Sequence, residues 1–210
     1  MKSGDVVLFQ GDSITDCGRD RAVTGANDAA GLGRGYAMLA GAALCERVPG
    51  VEVLNRGIGG NEVGDLLARW EADCVALRPT VVSVLIGVND MWRKMDSGKA
   101  TTVAGYDAEL GELLDRTAAA LPGARVVVGE PFALRVGAVS GAWFPEFDER
   151  RAVAKRQAAR VGAAWVGYQG VFDAACARAA AAYWAHDGVH PTLAGHRLMA
   201  NAWLEASAEV

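Results

Sequence analysis

Five short runs of β-branched and apolar residues constrain this chain more than any other feature: 6–9, 51–54, 80–86, 125–128 and 163–166. Each is nearly continuously apolar, as a strand covered on both faces must be. Between the runs the period changes. Over 61–77, Val63, Leu66, Leu67, Trp70, Cys74 and Leu77 recur at helical spacing, and over 104–121 Tyr106, Leu110, Leu113, Leu114 and Leu121 do the same. A last helix is expected to start at Pro191, since proline suits a first turn, with Arg197, Asn201 and Glu205 on its polar face. Strands alternating with helices predict an α/β fold in which helices cover both faces of a parallel sheet. No linker, repeat or low-complexity tract interrupts the pattern, so one domain over 1–210 is expected.

Composition narrows the function classes. Hydrophobic residues make up 51% of the 210, enough for a substantial core, and a net charge of −4 disfavours a broad nucleic-acid surface. No apolar run approaches the roughly 20 residues of a membrane span, so no membrane partner is expected. The first strand begins within six residues of Met1, leaving no room before it for a signal peptide, and a cytoplasmic location is the expectation. Cys17, Cys45, Cys74 and Cys176 are widely spaced and form no CxxC pair, which points away from a disulfide framework or a cysteine zinc site. Cys74, on an apolar helical stripe, is expected in the core.

Four polar, glycine-containing stretches carry the chemistry: Gly11-Asp12-Ser13, Asn55-Arg56-Gly57-Ile58-Gly59-Gly60, Gly87-Val88-Asn89-Asp90 and Asp187-Gly188-Val189-His190. The first three each follow a strand, so a parallel sheet delivers them to one edge. The fourth lies before the last helix. Taken singly, each has a bland reading as a helix cap, tight turn or loop. Together they meet the needs of acyl transfer. Ser13 is a nucleophile once a base takes its proton, and His190, in a loop, is that base. Asp187, three residues earlier, can fix its tautomer. The Ser13 and Gly60 backbone N–H groups and the Asn89 side-chain amide are candidate oxyanion donors, the Asn89 amide from a loop and Gly60 from just before a helix beginning near Asn61. Asp12 is expected to brace its loop by hydrogen bonding. His196, inside the last helix, is expected to pack or face solvent, and His186 to line the cleft.

At this point the chain resembles the SGNH hydrolases, the GDSL-type esterases and lipases, whose ordered blocks are a Ser in GDS, a Gly in an N-x-x-x-x-G loop, an Asn in GxND and a DxxH near the C-terminus. The stretches "FQGDSITDCGRDR", "GLGRGY", "NRGIGGNEVGDLLARWEADC", "SVLIGVNDMWR" and "DGVHPTLAGHRLMA" are similar to one branch, the serine acetylxylan esterases and related carbohydrate acetylesterases. The resemblance implies a three-layer α/β/α sandwich on a flavodoxin-like five-stranded parallel sheet ordered 2-1-3-4-5. It implies a Ser13–His190–Asp187 triad with Ser13, Gly60 and Asn89 as oxyanion donors, and no cofactor or metal. It also implies an oligosaccharide or small-molecule ester as partner, with homo-oligomers common among relatives. The branch usually reads I-S-G-N-T where this chain has Ile58-Gly59-Gly60-Asn61-Glu62; Gly59 is expected to loosen the loop and Glu62 to add negative charge beside it.

Aromatic residues cluster near these blocks. Trp92 and Trp184 are the candidate substrate contacts, with Trp143, Phe144 and Tyr183 nearby in sequence and Arg56 and Arg93 as adjacent cations. The leading expectation is removal of acetyl groups from carbohydrates, with acetylated xylo-oligosaccharides as the natural candidates. An arylesterase, thioesterase or lysophospholipase with the same triad, a noncatalytic carbohydrate-binding module, and a metal hydrolase built on His186, Asp187 and His190 are the alternatives.

Overall fold

The computed structural model describes residues 1–98 and 102–209. β1 (Val6–Gly11) leads into the single-turn α1 (Ser13–Asp16), then α2 (Ala29–Leu32) and α3 (Tyr36–Arg47). β2 (Glu52–Asn55) is followed by α4 (Val63–Asp73), and β3 (Val81–Leu85) by α5 (Val88–Ser97) and α6 (Val103–Ala120). β4 (Arg125–Gly129) is followed by α7 (Glu146–Arg160), and β5 (Ala164–Val166) by α8 (Tyr168–Cys176), α9 (Ala181–Trp184) and α10 (Leu193–Ala206). The strands pair in parallel in the order β2-β1-β3-β4-β5, the expected α/β arrangement.

Pleating sorts the apolar strand residues into two cores. Val7, Phe9, Val81 and Val127 point to one, which Tyr36 and Ala40 of α3, Phe172 of α8, and Met199 and Trp203 of α10 complete. Leu8, Val82, Val84 and Val128 point to the other, against Leu66 and Trp70 of α4, Leu110 and Leu114 of α6, and Val153 of α7; Cys74 is buried there as expected. Two of the buried indoles find hydroxyl acceptors: Trp203 Nε1 donates to Ser83 Oγ at 2.9 Å and Trp70 Nε1 to Thr117 Oγ1 at 3.1 Å.

Two helix limits differ from the sequence expectation. The helix expected over 61–77 runs only from Val63 to Asp73 and breaks into a 3₁₀ turn at Val75–Leu77. Its start is set by a reciprocal cap, Glu62 accepting from the Asp65 backbone while the Asp65 carboxylate accepts from Glu62 N at 2.9 Å. The last helix begins at Leu193 rather than Pro191. Thr192 Oγ1 caps it by accepting from Gly195 N, and Pro191 instead bridges back to Ala185. Arg197, Asn201 and Glu205 do form its exposed face. Among the described residues no helix is long and apolar enough to cross a membrane.

The chain leaves β1 for β2 on one side and later returns to β3 on the other. The loops after β1 and β3 therefore diverge at the carboxyl edge, the switch point at which open α/β sheets bind their ligands.

Candidate active site

Ser13 stands at that edge because β1 ends on a glycine. Gly11 has φ +158°, and a Cβ there would lie 2.3 Å from Leu85 O and 2.4 Å from Thr15 Oγ1, so no side chain fits where the turn closes on β3. Asp12 caps α1, its Oδ1 accepting from Ile14 N at 2.9 Å. Ser13 is thus the first helical residue, whose N–H has no partner within the helix. Its half-buried hydroxyl lies 2.8 Å from His190 Nε2.

On the other side of the ring, His190 Nδ1 is 2.6 Å from Asp187 Oδ2. Asp187 Oδ1 accepts from Val189 N at 2.9 Å and His190 N at 2.7 Å, so one carboxylate folds the loop and orients the imidazole. Burial acts to raise Asp187. The hydrogen bonds from the His190 ring and from the two backbone N–H groups outweigh it and hold the carboxyl below its usual range. An ionised Asp187 takes the Nδ1 proton as its partner and leaves the Nε2 lone pair facing the Ser13 hydroxyl. The segment after β4 braces this loop from outside: Leu134 N donates to Gly188 O at 2.8 Å and Ala138 N to Asp187 O at 2.9 Å. That approach requires Gly188, with φ +92°, since a Cβ there would stand 2.4 Å from Leu134 O.

The glycine loop after β2 is pinned rather than loose. Gly57 N donates to Asn55 Oδ1 at 2.8 Å, Arg19 Nε to Gly57 O at 2.8 Å, Ile58 N to Gly11 O at 3.0 Å and Gly59 N to Asp16 Oδ2 at 3.2 Å. Gly59 thus uses its backbone donor to tie the loop to α1. Glu62 caps α4 and also adds the expected negative charge beside the loop, where it acts on Asp90. With its neighbours committed, the Gly60 N–H donates to nothing among the described residues. Asn89 is not in a loop; it is the second residue of α5, after Gly87. Its Nδ2 donates one hydrogen to Asn61 O at 3.0 Å, which leaves the second amide hydrogen.

The other candidates divide. The Trp92 ring lies 5.9 Å from the His190 ring and 5.7 Å from buried Trp143, against which it packs edge-on. Trp184 is not brought to this cluster. It is 7% exposed, packs on Tyr183 and Arg178, and donates to Ala179 O, because α9 turns its ring into the core. His186 is exposed. His196 is buried: its Nδ1 accepts from Tyr36 N at 3.2 Å, its Nε2 lies 3.3 Å from Cys17 Sγ, and burial lowers its pKa to about 4. Arg56 is buried on the Asn55 and Thr24 carbonyls, whereas exposed Arg93 sets its Nη2 beside Gly60. Among the described residues, no three His, Cys, Asp or Glu side chains group as metal ligands. Asn61, Asp16, Arg19 and Arg69, which hold the site together, carry no sequence signal of that role; they come from separate segments that only the fold brings together.

Two buried carboxyls beside the site make stability depend on pH. Burial raises Asp12 to about 7 against the Ile14 N–H and the His190 charge, and among the described residues Asp12 Oδ2 has no hydrogen-bond partner. Burial, and then the neighbouring Glu62, raise Asp90 to about 7 against Arg150. The folded chain therefore keeps protons that the unfolded chain releases near pH 4, so these groups lower stability as pH rises from about 4 to about 7 and add no further slope above it. Asp12→Asn and Asp90→Asn are each expected to flatten that decline relative to the parent chain, measured by urea unfolding at pH 4, 5.5 and 7. An unchanged difference across the three would show that the carboxyl ionises alike in both states.

The hydroxyl, imidazole and carboxylate form a continuous hydrogen-bonded chain beside uncommitted amide donors, a set suited to attack on a carbonyl carbon. The GDSL-like lipase/acylhydrolase family matches residues 9–198. An acetylxylan esterase from Geobacillus stearothermophilus is 36% identical over 208 residues, 96% of this chain and 93% of its own. Among solved structures, a GDSL-like lipase from Parabacteroides merdae is 44% identical, with 99% and 97% of the two chains covered and a TM-score of 0.95. The structure of the G. stearothermophilus acetylxylan esterase Axe2 is 36% identical, covering 97% and 94%, with a TM-score of 0.86. The chain belongs to the GDSL-like lipase/acylhydrolase family, on its acetylxylan-esterase side, and is a carboxylic ester hydrolase.

Proposed function

We propose that this esterase removes acetyl groups from carbohydrates, acetylated xylo-oligosaccharides foremost, through an acetyl-enzyme. The observation that carries the reading is the Ser13–His190–Asp187 hydrogen-bonded chain, at 2.8 and 2.6 Å, beside the Gly60 and Asn89 donors. His190 Nε2 takes the Ser13 proton as Oγ attacks the acetyl carbonyl carbon. The carbonyl oxygen becomes an oxyanion held by Ser13 N–H, Gly60 N–H and the free Asn89 amide hydrogen. His190 then gives its proton to the departing sugar oxygen, leaving acetyl on Ser13. Water attacks with His190 again as base, and acetate leaves as Ser13 regains its proton. Each proton is passed and returned by this chain's own residues.

Support for a small acyl group and a sugar comes from three sides. The relative at 36% identity is named an acetylxylan esterase. Glycines line the loop beside Ser13, with the Cβ position of Gly59 only 3.7 Å from Ser13 Cβ, and they offer little side-chain surface to a long acyl chain. Trp92, half-buried next to His190, offers an aromatic plane to the C–H face of a sugar ring. Trp92→Ala is expected to raise KM for acetylated xylo-oligosaccharides by about 10-fold and to change p-nitrophenyl acetate kinetics by less than about 3-fold. Equal losses on both would make Trp92 a support for His190 instead.

The deciding experiment compares initial rates on acetylated xylo-oligosaccharides, aryl esters of increasing acyl length and acyl thioesters. The proposal expects acetyl esters of sugars to lead. Turnover of long acyl chains with none on sugar acetates would overturn the substrate while leaving the chemistry intact.

A further inference from the structure

We propose that Arg69 is a positioning residue that holds the oxyanion donors in register with the nucleophile turn, an inference that rests on reading Gly60 and Asn89 as those donors. Arg69 projects from α4, its side chain 15% exposed, and its guanidinium reaches three separate segments. Nε donates to Asn61 Oδ1 at 2.8 Å. Nη1 lies within hydrogen-bond distance of three acceptors that share its two hydrogens, Arg56 O at 2.8 Å, Gln10 Oε1 at 2.9 Å and Asp73 Oδ2 at 3.0 Å, and Nη2 donates to Gly11 O at 3.3 Å. Gly11 precedes the turn that presents Ser13, and its carbonyl also accepts from Ile58 N of the glycine loop. Arg56 opens that loop. Asn61 closes it, and its backbone oxygen is the acceptor that orients Asn89 Nδ2.

One planar cation therefore fixes both ends of the loop bearing Gly60, the carbonyl before the nucleophile turn, and the residue that aims Asn89. A guanidinium suits this because its donors lie in a rigid fork, so the acceptors are held at set angles as well as distances. The partners are mostly neutral carbonyls, with Asp73 as the ion-pair partner one turn along α4. A Lys at this position puts all three of its donors on one nitrogen and lacks the planar fork that spans these acceptors. Arg69 touches no reacting atom; it acts through Gly60, Asn61 and Asn89.

The test is a double-mutant cycle on p-nitrophenyl acetate, with far-UV circular dichroism and thermal melts on each variant. Arg69→Met is expected to lower kcat on the order of 10–100-fold with KM within about 3-fold, as misplacement of donors does. Arg69→Lys is expected to recover only part of that loss. In an Asn89→Ala background, the further cost of Arg69→Met is expected to be at least about 3-fold smaller than in the parent, since the part carried through Asn89 is already lost while the part carried through Gly60 remains. Should Arg69→Met fail to fold, Asn61→Ala removes the Nε acceptor alone and must show the same non-additivity with Asn89→Ala. Losses that multiply in full, with Asn89→Ala itself costly, would overturn the role of Arg69 and leave the oxyanion reading standing. An Asn89→Ala rate within about 3-fold of the parent would overturn the oxyanion reading and this inference with it.

Discussion

Ser13→Ala is expected to lower kcat by on the order of 10⁴–10⁶-fold on any ester the enzyme turns over, with the fold unchanged. Among the described residues the hydroxyl makes one hydrogen bond, at 2.8 Å to His190 Nε2, so its removal leaves a small void at a half-buried surface and no orphaned core group. His190→Ala is expected to lose about as much, and the double variant little more than either single one. In the proposed mechanism nucleophile and base act as a unit, so the residual rate is expected to come from substrate binding and the oxyanion donors. The measurement is steady-state hydrolysis of p-nitrophenyl acetate, with mass spectrometry of the quenched parent enzyme for an acetyl group on Ser13. Undiminished turnover in Ser13→Ala, or acetyl carried on another residue, would sink the mechanism.

Asp187→Asn carries the second large expectation, a fall in kcat of about 10⁴-fold, roughly 5 kcal/mol of transition-state stabilisation, with little change in KM. Its Oδ1 accepts two backbone N–H groups, so an asparagine keeps its oxygen there and turns its amide NH₂ toward His190 Nδ1. The ring answers by accepting at Nδ1 and carrying its proton on Nε2, where it no longer accepts from Ser13. The loop keeps its shape while the base is lost. A loss of only a few fold would mean that the backbone around His190, rather than the carboxylate, sets the tautomer. ¹⁵N chemical shifts of the imidazole in the two proteins would report the tautomer directly.

Much of this fold is legible in the sequence, because strands buried on both faces must be apolar throughout and amphipathic helices must repeat at their own period. Runs 6–9 and 80–86 are such strands, and both appear within a residue or two of the expected limits. Local signals competed at the ends of elements. Pro191 suits a first helical turn, but Thr192 carries the hydroxyl that accepts from Gly195 N, and the helix starts after it. Asn89 follows a strand and a glycine, as a loop residue does, yet α5 begins at once and places it in the first helical turn. Trp184 stands three residues before Asp187 in the chain and still turns inward, because nearness in sequence says nothing about which way a one-turn helix faces.

The sequence by itself determined the α/β alternation and the order of the blocks bearing Ser13, Gly60, Asn89, Asp187 and His190. These follow from local periodicity and from residue types whose chemistry is their own. Only the tertiary structure decided that Ser13 and His190, 177 residues apart, meet at 2.8 Å, that the glycine loop is pinned rather than loose, and that Arg69 ties that loop to the end of β1 before Ser13. Those facts depend on angles and distances between segments with no sequence relation to one another. They arise when β1 and β3 pair side by side and α4 packs back across the sheet, a consequence of burying both faces that no single stretch of residues encodes.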